Sequence, residues 1–359
     1  MHQDILIIGG YGVVGRRIAL DLAPDYPERI VVGGRNLTRA NACAVEIGHG
    51  VRGRAIDILD PQSIAAALKG VTAVISCIDQ PGRTVLHASI ARGLAYTDIT
   101  PHLTELGRGA AYESIDAAAR AAGARVVLGT GIVPGISSVI VRALADRLGG
   151  CDDIETALLL GANDVSGPAS FDYFLQELTM PFDIRVDGRD VRASPFSEPR
   201  AVDFGPPVGV HSAYLFPFSD QVLYPRTMGA NSVRTRLAIE PSWLAGLLAV
   251  LSKTGARRLL SIDSIRHRIA QTRRDRPSRD GARFALRVDV THNGSTQCAI
   301  LHGRTQADAA AAGASGVARA LIERRVPEPG AWMPEQVIEP GPFFARLAKN
   351  GLRVEFPTG

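Results

Sequence analysis

Gly10, Gly12 and Gly15 stand in G-x-G-x-x-G spacing, after an apolar run at 5–8 and before a helix-like pattern that starts at 13. In that strand–turn–helix context the spacing reads as a cradle for the phosphates of a dinucleotide. Gly10 permits the sharp turn, Gly12 brings bare backbone up to a pyrophosphate, and Gly15 lets the new helix lie close on the strand. The free N–H groups at the start of that helix would face the diphosphate. At the end of the second apolar run, where an NAD site commonly carries Asp or Glu for the ribose hydroxyls, the chain reads Gly34-Arg35-Asn36 and has no acid. Arg35 offers a planar, permanently charged fork to a 2′-phosphate, a contact worth about 1.5–3 kcal/mol as a charged hydrogen bond. With Asn36 beside it, the expected cofactor is NADP(H).

In an open parallel sheet, ligands bind outside the carboxyl ends of the strands, so further candidates are sought just after each strand-like run. Asp57 and Ile58 follow the third, where the carboxylate would cap an adenine amino group or simply form a turn. Cys77 follows the fourth and either lines the nicotinamide ribose or is a plain buried thiol. Tyr96 and Asp98, with Thr100 and His102, follow the fifth and form a polar cluster suited to proton donation or substrate anchoring. Gly131 opens the loop 131–135 after the sixth, where missing side chains would admit a flat ring. Tyr173, on a helical stretch after Pro168, is a third candidate donor, though Phe171 and Phe174 beside it equally suit a core position.

Other chemistries are subtracted. The only lysines are Lys69, Lys253 and Lys349, and none stands four residues after a tyrosine, which removes the Tyr-x-x-x-Lys machinery of short-chain dehydrogenases. The arginine-rich segment 266–283 is read as a solvated helix and loop sooner than as a carboxylate clamp. His211 and His292 lack metal-ligand companions at useful spacing and read as structural or surface residues sooner than catalytic ones.

The elements that must position these groups follow from periodicity. Strands are expected at 4–8, 29–33, 54–57, 72–77, 95–98 and 124–128, with helices at 13–23, 37–48, 61–68, 82–92 and 104–122 between them. That alternation predicts a doubly wound parallel Rossmann sheet in an α/β domain over 1–128. Asp60-Pro61 supplies an N-cap and an N1 proline, and Gly93 and Gly123 supply helix stops. After the loop at 129–135 the pattern changes. A helix at 136–148, a strand at 153–161, a helix around 169–179, short strands near 182–192 and an Asn293-Gly294 hairpin predict a second α+β domain, 129–325, containing an antiparallel sheet. It is closed by a helix at 305–325. The tail, 326–359, is expected to return to the Rossmann domain.

Composition bounds the partners. At 359 residues, 46% hydrophobic, with a formal charge of +4, the chain is an ordinary two-domain globular protein acting on a small-molecule substrate. No lysine-rich tract or basic stripe points to nucleic acid, and no apolar stretch approaches the roughly 20 residues of a membrane span. Cys43, Cys77, Cys151 and Cys298 are scattered, as in a reduced cytoplasmic protein, and no signal-peptide pattern precedes the first strand.

The run Ala95-Tyr-Thr-Asp-Ile-Thr100, the loop Gly129-Thr-Gly-Ile-Val-Pro-Gly-Ile136 and the tail Trp332-Met-Pro-Glu-Gln resemble the saccharopine dehydrogenase family in its reductase form. The resemblance implies an NADP-binding Rossmann domain joined to an α+β domain, an NADPH-dependent reduction of an imine (C=N) or C=O group, and a homodimer. By position it assigns Gly10, Tyr11, Gly12, Val13, Val14 and Arg35 to NADP, with Cys77 and Tyr96 near the reacting centre. Where amino-acid-forming members commonly have an acid before Pro-Gly, this chain has Val133, which argues against saccharopine or a carboxy-polyamine as substrate. The alternative is a non-catalytic NADP-binding sensor or partner protein on the same fold.

Overall fold

The apolar run at 5–8 becomes a strand buried along its whole length, flanked on both sides by parallel neighbours. The structure is a computed structural model and describes residues 3–99, 110–161, 174, 177, 178, 180–254 and 284–357. Its contacts divide the chain into two units, residues 1–136 with 307–347 and residues 137–306 with 348–359.

In chain order the first elements are β1 (Asp4–Ile8), α1 (Val13–Leu22), β2 (Ile30–Gly34), α2 (Leu37–Ile47), β3 (Arg52–Ala55), α3 (Pro61–Ala67), β4 (Val71–Ser76), α4 (Thr84–Ile90), β5 (Ala95–Asp98), α5 (Ala110–Ala122) and β6 (Arg125–Val127). There follow α6 (Ile136–Leu148), β7 (Asp153–Gly161), β8 (Phe182–Val186), β9 (Arg189–Ala193), β10 (Arg200–Asp203), β11 (Val210–Leu215), α7 (Asp220–Thr227), β12 (Ser232–Glu240) and α8 (Ser242–Thr254). The chain ends through β13 (Phe284–His292), β14 (Ser295–Gly303), α9 (Gln306–Ile322), β15 (Gly330–Trp332), α10 (Pro334–Val337), α11 (Pro340–Lys349) and β16 (Val354–Glu355).

The first unit holds a parallel sheet in the order β3-β2-β1-β4-β5-β6-β15. The order reverses beside β1, so the carboxyl ends of β1 and β4 flank the crevice where such sheets bind ligands. Local signals act as expected: Asp60 accepts from the Gln62 N–H at 2.9 Å with Pro61 at N1, and Gly93 and Gly123 take positive φ at their helix ends. The third strand lies two residues earlier than its pattern suggested, because Arg52–Ala55 pairs with residues 31–34, leaving Asp57 in a turn.

Two boundaries differ from expectation. From Ala307 onward α9 belongs to the first unit, where Ala311, Ala314 and Ala318 share a core with Ile5, Ile7 and Ile18. Its small residues allow that approach: a Cβ on Gly313 would stand 2.7 Å from the Gly131 carbonyl oxygen. Arg319 on the same helix, 5% exposed, is held by Asp21 and Asp25. The tail also divides, since β15 extends the first sheet beside β6 whereas β16 pairs with β14 in the second.

The second unit is built on a mixed, largely antiparallel sheet in the order β10-β11-β12-β7-β13-β14-β16, with the β8–β9 hairpin joined to β12. Its central pair, β7 with β12, is parallel from Asp153↔Ser232 to Gly161↔Glu240. The long stretch of chain between them permits the crossover that parallel pairing needs. The Asn293-Gly294 turn joins β13 to β14 with positive φ at both residues, as the sequence required. Strands β10 and β11 arise inside the proline-rich stretch 195–225, whose prolines hid them. No helix among the described residues is long and apolar enough to cross a membrane.

Candidate functional site

At the carboxyl end of β1 the glycine turn delivers the chain into α1. Gly12 is the N-cap, has extended backbone and no side chain to cap with, and the first turn carries no acid. The N–H groups of Val13, Val14 and Gly15 therefore have no intrahelical acceptor and point out of the positive end of the helix. Gly15 is obligatory for packing, since a Cβ there would run into the Gly9 carbonyl oxygen and stand 2.8 Å from Gly10 Cα. These are the properties of an anion cradle, and the residues fit a dinucleotide diphosphate.

One strand over, Tyr11 reaches from the glycine turn to the end of β2. Its ring lies against Gly34, where a Cβ would collide with Tyr11 Cε1 and stand 2.7 Å from Cζ. Its hydroxyl accepts from the Asn36 N–H at 3.3 Å, while Asn36 Oδ1 caps α2 by accepting from the Arg39 N–H at 2.9 Å. The Arg39 guanidinium carbon sits 4.9 Å from the Tyr11 ring centroid. Arg35 is exposed, and among the described residues no hydrogen bond or ion pair engages its guanidinium. Two cations thus flank one acid-free strand end. Arg39 escaped the sequence reading because its relation to Tyr11 spans two different elements.

Asp57 Oδ1 accepts from the Leu59 N–H at 3.0 Å, and the Asp57 N–H donates to Ser63 Oγ at 2.9 Å, so this residue forms a turn. The Ile58 carbonyl accepts from Thr84 Oγ1 at 3.0 Å. Cys77 is half-buried beside the glycine turn, where a Cβ on Gly9 would lie 3.6 Å from its own Cβ. Burial, and then the nearby Asp98 charge, push its thiol up to about 12, so it carries no thiolate at neutral pH.

Tyr96 and Asp98 come together at the end of β5, but below the surface, 0% and 2% exposed. The Tyr96 hydroxyl donates to Asp98 Oδ2 at 3.2 Å and accepts from Gln80 Nε2 at 2.5 Å. Burial and the Asp98 charge hold the phenol well above its ordinary pKa. Asp98 reaches the loop after β6: Oδ1 accepts from the Gly129 N–H at 3.2 Å, and its backbone carbonyl accepts from the Thr130 N–H and Oγ1, both at 2.8 Å. The loop so held contains Gly131, whose carbonyl accepts from the Ile136 N–H at 3.1 Å. Among the described residues, a Cβ on Gly131 would meet only the Pro134 carbonyl oxygen, at 3.7 Å, so that side of the loop is open with respect to them.

Tyr173, Thr100, His102 and the arginine-rich segment 266–283 lie outside the described residues. Taken by itself, the second unit holds one titrating group that the sequence did not suggest. Burial raises the carboxyl of Glu177 to about 7, the range useful to a general acid. A lone Glu in an aromatic helical stretch gives no motif by which to find it.

Residues 5–127 match a family model described as the saccharopine dehydrogenase NADP binding domain. A search of curated proteins gives no match. Among solved structures, apo saccharopine dehydrogenase (L-Glu forming) from Saccharomyces cerevisiae shares 15% identity, covering 99% of this chain and 100% of that one, with a TM-score of 0.70. At that identity the likeness is one of fold. GenD2 from gentamicin A biosynthesis, solved in complex with NAD, covers 100% of this chain and 97% of its own at 14% identity, but its TM-score of 0.44 is too low to add to the argument.

Proposed function

We propose that the chain, whose residues 5–127 match the saccharopine dehydrogenase NADP binding domain, is an NADPH-dependent oxidoreductase that reduces a C=N or C=O group of a small metabolite. The observation that carries the cofactor choice is the acid-free end of β2, where Arg35 stands exposed and Arg39 stacks on Tyr11. When bound, the dinucleotide supplies a hydride. The chain's own residues bind and orient it.

In this reading Gly10, Tyr11, Gly12, Val13, Val14 and Gly15 form the diphosphate cradle, and Arg35 and Asn36 meet the 2′-phosphate. Asp57 and Ile58 border the adenine. Cys77 and Gly131 flank the nicotinamide end, beside the glycine turn and on the open side of the loop after β6. Tyr96 and Asp98 act below them by fixing that loop. An iminium carbon is already electrophilic, so a site that only positions its reactants is sufficient. This fits a buried pair whose hydrogen bonds are spent on the loop. The same reading takes the protein as a cytoplasmic homodimer, in keeping with the family resemblance and with four free thiols.

The burial of Tyr96 and Asp98 also favours, as the second reading, an NADP-binding sensor without turnover. NADPH oxidation, followed across a panel of cyclic imines, amine plus keto-acid pairs and simple carbonyls, separates the two. Turnover with any of them supports the reductase; tight NADPH binding with none supports the sensor.

A further inference from the structure

Gln80 lies just past the carboxyl end of β4, 8% exposed, and no motif drew attention to it. Its side-chain oxygen accepts from the backbone N–H groups of Val85 and Leu86 at 3.1 and 3.3 Å. Backbone N–H groups can only donate, so that end of the amide must be the oxygen and the other must be the NH2. The NH2 donates to Ser76 Oγ at 3.0 Å and to the Tyr96 hydroxyl at 2.5 Å. The start of α4 thereby fixes which way round the amide sits.

The orientation propagates. With its oxygen accepting from Gln80, Tyr96 directs its single proton to Asp98 Oδ2, and Asp98 Oδ1 receives the Gly129 N–H. Each bond in the series from Gln80 to Gly129 is therefore directed so that Asp98 is an acceptor at both oxygens. A protonated Asp98 would place a second hydrogen against one of these donors.

We propose that Gln80 is a positioning residue that acts through Tyr96 to hold Asp98 as the acceptor that anchors the loop 129–131. The proposal rests on the reading above in placing that loop at the nicotinamide end of the site. Gln80 touches no reacting atom. Its function is to set the direction of a buried chain of hydrogen bonds, and the loop receives the result.

The direction is testable because it can be reversed at constant charge. Gln80→Glu alone puts two carboxylates on one tyrosine proton. Asp98→Asn alone sets an NH2 against a donor, either the Tyr96 hydroxyl or the Gly129 N–H. The double variant Gln80→Glu/Asp98→Asn restores the bonds from position 80 to Tyr96 and from Tyr96 to position 98 with their direction reversed, with Ser76 Oγ turning its proton from the Ile78 carbonyl to the new carboxylate. The new amide at position 98 donates to the Tyr96 hydroxyl, which in turn donates to the new carboxylate at position 80. The amide oxygen at position 98 still accepts from the Gly129 N–H.

Two readouts are taken on the full chain, NADPH dissociation constant by fluorescence titration and thermal midpoint without cofactor. Each single variant is expected to bind NADPH about ten-fold more weakly, and the double to return within about three-fold of wild type, the coupling expected of groups in one network. Gln80→Glu alone brings a second carboxylate to the buried Tyr96–Asp98 pair, so its affinity is also expected to depend more strongly on pH than that of wild type, as an extra proton taken up between the two carboxylates is lost. Gln80→Met, which keeps length without the amide, should remain as weak as Gln80→Glu. Additive losses in the double variant, or full recovery with Met, would overturn the proposal. Neither readout needs turnover, so an absence of reductase activity leaves the test intact. Should NADPH fail to bind the wild type, the cofactor reading falls, and coupling between the thermal midpoints still decides for or against the directed chain.

Discussion

The Arg39 guanidinium lies 4.9 Å above the centroid of the Tyr11 ring, joining the first turn of α2 to the glycine turn after β1. Because Tyr11 also rests on Gly34 and accepts from Asn36, the pair brings a second cation to the end of β2. An exposed contact of this kind is worth about 0.5–1 kcal/mol. Tyr11→Ala should weaken NADPH about two- to five-fold by releasing Arg39, and Arg39→Gln should do so by a similar factor with NADH affected less. Titrating both dinucleotides against both variants checks this.

Arg35 is expected to carry more of the discrimination. Arg35→Asp removes a charged hydrogen bond worth about 1.5–3 kcal/mol and should weaken NADPH by about 10- to 100-fold. NADH should be affected much less. Equal losses for the two dinucleotides, read by fluorescence titration, would remove Arg35 from the 2′-phosphate site.

Cys77 should be chemically silent. With its thiol pushed to about 12 by burial and the Asp98 charge, almost none is ionised at pH 8. Alkylation by iodoacetamide, located by peptide mass spectrometry, should leave Cys77 unmodified in the folded protein. Rapid labelling there would mean that the thiol is ionised and accessible.

Glu177 gives a pH dependence of defined sign. Burial raises its carboxyl from 4.5 to about 7, so the folded state holds this proton more tightly than the unfolded chain does. The stability it contributes is complete below about 4.5 and is lost as pH rises through about 7. Glu177→Gln abolishes that loss. Its thermal midpoint should exceed that of wild type above pH 7, with the gap closing toward pH 5; parallel curves would contradict the assignment.

The legible parts of this chain are those where one residue type suffices. Gly10, Gly12 and Gly15 have to be small whatever surrounds them, and Asp60-Pro61 and Asn293-Gly294 act within a few residues of themselves. They are readable without a fold. Gln80, Arg39 and Gly313 are not, because each has its meaning only against a residue brought near by the sheet: Tyr96, Tyr11 and Gly131. The alanines of α9 read as helix-forming, yet their composition does not say which core they enter. Strands β10 and β11 are hidden by the prolines around them, and the parallel pairing of β7 with β12 is a matter of topology that no local pattern encodes. Tyr96 and Asp98 stand out in the sequence as a polar cluster. Their burial, which turns a pair of candidate donors into a loop anchor, emerges only from packing.

The central claim is that hydride passes from NADPH to a carbon of a small substrate, and deuterium transfer tests it most directly. NADPH deuterated at the transferable position of its nicotinamide is incubated with the protein and the imine and carbonyl panel, and products are examined by mass spectrometry. The account predicts one deuterium on the former C=N or C=O carbon of at least one product, lost when Arg35→Asp protein is used at limiting NADPH. Tight binding of the labelled cofactor with no deuterium in any product would contradict it and leave an NADP-binding sensor.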